Sequence, residues 1–87
     1  MKSQATSKFW KLYGRLPRSV QQRARKAYQM WKENPRHPSL HFKRVDDEEP
    51  IYSARVSDYH RVLGILEGDT MIWYWIGSHD EYERLLK

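Results

Sequence analysis

The sequence predicts an α+β domain: a helical hairpin packed on a mostly antiparallel sheet of three or four strands, closed by a short C-terminal helix. Apolar residues recur with a period near 3.6 as far as Trp31. From Leu40 onward the period changes to two. Near the end, the capping box Ser78-x-x-Glu81 restarts helical spacing.

Taken in order, Thr6 or Ser7 can cap a first helix, whose stripe is Phe9, Leu12, Tyr13 and Leu16. Gly14 and Pro17 break it, and Pro17 suits the first turn of the next helix, where a missing N–H costs nothing. Val20, Ala24, Ala27 and Trp31 form the second apolar stripe; Arg18, Arg25 and Lys32 lie mostly away from it. Asn34-Pro35 ends that helix, because a residue before proline is pushed out of the α region. His37, between Pro35 and Pro38, reads as part of a rigid turn. Leu40, Phe42 and Val45 suggest a first strand, and Asp46 to Pro50 a polar turn. Tyr52, Ala54 and Val56 alternate with Ser53 and Arg55 in a half-buried strand. Arg61–Glu67 and Thr70–Ile76 are denser apolar runs joined by the hairpin signal Gly68-Asp69. Tyr82, Leu85 and Leu86 give the last helix its apolar side. The residues before the first helix leave open whether a further strand precedes it. Phe9, Leu12, Val20, Trp31 and Tyr52 are the expected core.

Eighty-seven residues make a single domain, 1–87, with a thin core that four Trp, six Tyr and two Phe can fill. There is no cysteine, so neither disulfides nor thiolate metal sites are available. No apolar run approaches a membrane span, and the opening MKSQATSKFW lacks the apolar stretch of a signal peptide, so a cytoplasmic location is expected. Charge is divided. Residues 1–45 hold twelve Lys or Arg against the single acid Glu33, a net +11, whereas residues 46–87 hold four against ten, a net −6. A basic half of this kind suits a polyanion or an acidic protein.

The histidines, His37, His41, His60 and His79, show no ligand spacing on one element, so no metal is expected. Glycine-rich phosphate loops and nucleophile elbows are absent. What remains is a cluster in the sheet half. Arg55 and Arg61 flank a short turn. A three-residue loop, 58–60, would set Arg61 opposite Ser57 on the face of Arg55, and a two-residue loop would put the arginines on opposite faces. Both could instead be ion-paired, to Asp58 or to the acidic loop 46–49. His79 and Tyr82 fall in the first turn of the last helix: imidazole can accept or donate a proton, and Tyr82 also lies on the apolar stripe.

These pieces together resemble the RelE/ParE toxin superfamily, the toxin halves of bacterial type II toxin–antitoxin pairs. The resemblance rests on Leu16-Pro17 at the helical bend, Asn34-Pro35, Leu40-x-Phe42-Lys43, Tyr52-Ser-x-Arg55-Val-x-x-x-His60-Arg61-Val-Leu, and Trp75-Ile-Gly-Ser-His-Asp-Glu-Tyr82. The Ser-x-Arg-aliphatic-x-x-x-His-Arg stretch is especially similar to the YoeB branch of messenger-RNA endonucleases. That branch implies metal-free, cofactor-free cleavage of messenger RNA on the ribosome, inhibiting translation. It also implies a cognate antitoxin that covers the basic groove with an acidic or amphipathic segment. Arg61 matches the family's phosphate-binding arginine, Arg55 is a second cation, and His79 matches the histidine after the last strand. Tyr82 is similar to the family's late tyrosine but stands three residues after His79 rather than next to it. The carboxylate base has no clear counterpart, His37 lying near the matching place. Arg18, Arg25, Lys32, Lys43 and Arg44 are the expected RNA contacts. A gyrase poison of the same fold, or a non-toxic basic interaction domain, are the alternative readings.

Overall fold

In the computed structural model, which describes residues 1–86, the chain opens on a strand that sequence periodicity does not mark. This β1 (Lys2–Ala5) pairs in parallel with β5 (Thr70–Ser78), from Lys2 opposite Thr70 to Ala5 opposite Trp73. Four residues are too few to show alternation. The sheet therefore has five strands rather than three or four, in the order β1-β5-β4-β3-β2. The other four are β2 (Lys43–Arg44), β3 (Ile51–Ser57), β4 (His60–Glu67) and β5.

Helix α1 (Ser7–Gly14) is capped by Thr6, whose hydroxyl accepts from the Phe9 N–H at 3.1 Å. Helix α2 (Arg18–Glu33) starts after Pro17 and stops at Asn34, and it buries Val20 and Trp31. Phe9, Leu12 and Tyr52 are half-buried at the core's margin. Leu40 does not begin a strand. It ends a 3₁₀ turn, Pro38–Leu40, capped by the His37 imidazole, whose Nδ1 accepts from the Ser39 N–H at 3.2 Å. His41 then takes a left-handed φ of 46°, which turns the chain before β2. Leu40 is apolar because it enters the core, at 2% exposure, and not because a strand alternates there.

Cross-strand register sorts the sheet into two faces. Tyr52, Gly64 and Trp73 form one row, and Ala54, Val62 and Ile76 the next, on the side covered by α1 and α2. Ser53–Leu63–Trp75 and Arg55–Arg61–Gly77 are rows on the opposite side. The first core joins Trp31 and Leu40 to Met71 and Trp73; the two indoles meet edge to face at 5.2 Å. The Trp73 ring occupies the space a side chain at Gly64 would need, since a Cβ there would stand 2.6 Å from Cε3. The second, smaller core is Leu63, Trp75 and Tyr82, closed by α3 (His79–Leu85). The Ser78 and Glu81 capping box starts this helix as expected. Of its apolar stripe only Tyr82 is buried: the seven-residue helix is about two turns long, and Leu85 and Leu86 are left exposed.

Candidate functional site

The β3–β4 hairpin is the scaffold of the site. Its turn holds two residues, Asp58 and Tyr59, with Ser57 opposite His60. Taken alone, that loop length puts Arg55 and Arg61 on opposite faces. A register shift between Arg55 and Ser57 changes the outcome: Val56 is an extra, bulged residue, and Arg55 comes directly opposite Arg61. Like charges directly opposed are unfavourable, so the pairing needs a compensating partner or a purpose.

Arg55 has a partner, since its Nη2 is ion-paired with Asp58 Oδ1. Arg61 does not have one of that kind. Its Nη1 donates to the carbonyl oxygens of Ser57 at 2.9 Å and His60 at 3.0 Å, and among the described residues no carboxylate is within ion-pair distance. Partial burial, followed by the Arg55 charge, pulls the Arg61 guanidinium below the usual arginine range, while Tyr82 and Glu83 oppose the shift. It remains cationic at neutral pH.

His79 is the first residue of α3, next along from Ser78, which is opposite His60. Its backbone N–H donates to the Tyr59 carbonyl at 2.7 Å, tying the hairpin turn to the helix. Its Nε2 lies 3.4 Å from Glu83 Oε1, one helical turn on. The Tyr82 ring is centred 5.7 Å from the imidazole, but the residue is only 7% exposed and its hydroxyl donates to Ser53 Oγ at 3.2 Å. Arg55, Arg61 and His79 are thus gathered on the α3 side, with Tyr82 beneath them in the small core. Among the described residues, no three His, Asp or Glu side chains converge as a metal site would require. No described helix is long and apolar enough to cross a membrane.

The expected RNA contacts divide between locations. Arg18, Arg25 and Lys32 recur every seven residues along α2 and are exposed. Arg25 Nε donates to the Tyr13 hydroxyl at 2.9 Å, and Lys32 Nζ lies 5.5 Å above the Tyr28 ring. They belong to the helical layer, across the sheet from Arg61. Lys43 and Arg44 are exposed on the edge strand β2; Lys43, opposite Ser53, shares the face of the arginine pair. Arg44 Nε donates to the Asp46 carbonyl at 2.9 Å. A crevice of about 490 Å³ opens between α1 and α2 over Trp31 and Trp73, also on the far side from Arg61.

Three candidates escaped the sequence reading. Arg23 and Lys26 of α2 border a shallow depression together with Arg55 and Ser57, so they are the helical cations nearest the hairpin. Their i, i+3 spacing was visible, but not which side of α2 meets β3. Glu83 was also visible as i+4 from His79, and only the position of α3 beside Arg61 gives it meaning.

Residues 18–84 match the family described as the ParE-like toxin domain. The chain belongs to this family. The RelE/ParE assignment read from the motifs is borne out, and solved toxin structures share the fold of this ParE-like domain. A chain of the RelB–RelE antitoxin–toxin complex from Methanococcus jannaschii superposes with a TM-score of 0.75 at 14% identity, covering 95% of this chain and 98% of that one. The YoeB/ParE toxin from Agrobacterium tumefaciens gives 0.71 at 16% identity, over 91% and 99%. YafQ from E. coli gives 0.74 at 9% identity, over 93% and 96%. No curated protein matches the sequence. At such identities the likeness is one of fold, and the ParE-like domain's chemistry must be argued from its own residues.

Proposed function

We propose that this chain is the toxin of a type II toxin–antitoxin pair and acts in the cytoplasm as a ribosome-associated messenger-RNA endonuclease. The observation that carries the reading is Arg61: a half-buried guanidinium whose close partners among the described residues are backbone carbonyls, on the side of the sheet where His79 begins α3. An arginine so placed is suited to a phosphate, whose charge it stabilises as that charge grows in the transition state. In the proposed step the RNA 2′-oxygen bonds to the adjacent phosphorus as the bond from phosphorus to the 5′-oxygen breaks. The 2′-hydroxyl loses its proton to a solvent water, and the leaving 5′-oxygen gains one from His79. The step calls for no metal or cofactor. His79 is the proton donor. Glu83, 3.4 Å from Nε2, orients the ring and leaves Nδ1 to face the substrate. Arg55 adds a second cation once the phosphate competes with Asp58 for it. Tyr82 supports His79 from below through its hydrogen bond to Ser53.

Arg18, Arg25, Lys32, Lys43 and Arg44, with Arg23 and Lys26, supply the salt-sensitive grip on ribosomal and messenger RNA. The cognate antitoxin meets the basic helical layer with an acidic or amphipathic segment. The RelB–RelE complex among the similar structures supports such a partner. A toxin of the same fold that blocks another target, such as gyrase, is the second reading, since the family match is to a toxin domain and not to a nuclease. Expression of the chain alone, with and without added translation reporters, tests the first. Growth should stop together with protein synthesis. Arrest with DNA damage signalling and continued translation would point to the second reading instead.

A further inference from the structure

Tyr59 stands at the tip of the β3–β4 hairpin with 76% of its surface exposed, more than any other large apolar or aromatic side chain among the described residues. The position is ordered rather than loose. Its N–H donates to Ser57 Oγ at 3.3 Å and its carbonyl accepts from His79 N at 2.7 Å. Two-residue hairpin turns favour Asn and Gly, which accept positive φ. Here neither Asp58 nor Tyr59 has a positive φ, so the turn is not of the primed type and the residues break the local preference. Departures of this kind cluster where function outweighs local stability.

Cations lie on both sides of this tip. Arg61 is on the α3 face; Arg23 and Lys26 border the depression on the α2 face, with the ion-paired Arg55 between. Asp58, the one carboxylate in the turn, is neutralised by Arg55. An exposed ring between two cationic patches is the arrangement that holds single-stranded nucleic acid, with phosphates on the cations and a base on the ring. We propose that Tyr59 is a nucleobase-stacking subsite that seats a nucleotide of single-stranded RNA next to the phosphate held by Arg61. This rests on the endonuclease reading, and it adds a base contact to a site otherwise made of charges.

The test is a binding measurement that needs no cleavage. Short single-stranded oligoribonucleotides carrying 2′-O-methyl groups, which lack the attacking hydroxyl, are titrated by fluorescence anisotropy. A second set carries one abasic position, moved along the strand. Tyr59→Ala should weaken binding about tenfold, the scale of one lost base stack. Tyr59→Phe should bind as wild type does, and circular dichroism should show all variants folded, since the side chain packs on little. One abasic position should weaken wild type by a similar factor and leave Tyr59→Ala unaffected, because both changes remove the same contact. Equal affinity of wild type and Tyr59→Ala, or additive effects of the variant and every abasic position, would overturn the stacking subsite while leaving the RNA reading intact. A wild type that binds none of the oligonucleotides would overturn both.

Discussion

Arg61 keeps its charge in a half-buried strand, and among the described residues only backbone carbonyls are its close partners. Burial and the facing Arg55 lower its affinity for a proton relative to the unfolded chain. A base whose folded pKa is lowered costs stability wherever it is charged in both states, and the cost fades only as pH rises through the folded value. At neutral pH Arg61→Ala should therefore leave the melting temperature unchanged or raised, as expected of a residue retained for binding. Thermal melting at pH 7 checks this. A fall of several degrees would mean that Arg61 is a structural tie, through its hydrogen bonds to the Ser57 and His60 carbonyls. Arg61 and His79 were both legible as candidates, from their residue types and from the family resemblance. That Arg61 shares a face with Arg55 was not. It depends on one bulged residue, Val56, and neither loop length weighed from the sequence, taken without that bulge, describes the hairpin. The ion pair between Arg55 and Asp58 was legible as one alternative, because the two residues are only three apart.

At the level of elements, strong periodicity was reliable and short pieces were not. The first two helices, the Gly68-Asp69 hairpin and the last capping box were legible because each carries its own signal within a few residues. Gly68 takes the positive φ, 61°, that its turn requires. The strands β1 and β2 have four and two residues, and they exist through pairing with β5 and β3 rather than through their own alternation. The loop after β2 shows a further device invisible to periodicity. Asp46 Oδ1 accepts from the N–H groups of Glu49 and Glu48, both at 2.8 Å, and these bonds hold its carboxyl below the usual range, with a smaller contribution from Arg44. A carboxylate with a lowered folded pKa adds stability that is present above its unfolded value, near 3.8, and is lost as pH falls through the folded value. Asp46→Ala should accordingly be destabilising at neutral pH, with the difference from wild type shrinking below about pH 4. Paired melting curves between pH 2 and pH 7 measure it, and a constant difference across that range would contradict the account.

The whole molecule separates its charges: a basic first half that supplies α1, α2 and β2, and an acidic second half that carries the arginine pair. This division was legible from composition alone. Which cations would share a surface was not, because that depends on how α2 is rotated over β3. If RNA is held by phosphate neutralisation, affinity falls with salt, at about 0.7 in log–log slope per single-strand phosphate contact. Replacing Arg18, Arg25 and Lys32 together with Ala should flatten that slope by about 2 on the same scale. Titration of ribosomes or RNA from low to physiological salt reads it. An unchanged slope would show that the outer stripe of α2 meets something other than RNA, leaving Arg23 and Lys26 as the helical contacts.

The central claim is that Arg61 and His79 cut messenger RNA, and primer-extension mapping of messages after induction tests it most directly. Wild type should produce discrete cuts within translated regions. Arg61→Ala, folded by its melting curve, should abolish them, and His79→Ala should reduce them about 10²-fold or more, as expected on removal of a proton donor. Growth arrest by the wild type with no cuts in any message would contradict the claim, as would an undiminished cutting pattern in folded Arg61→Ala.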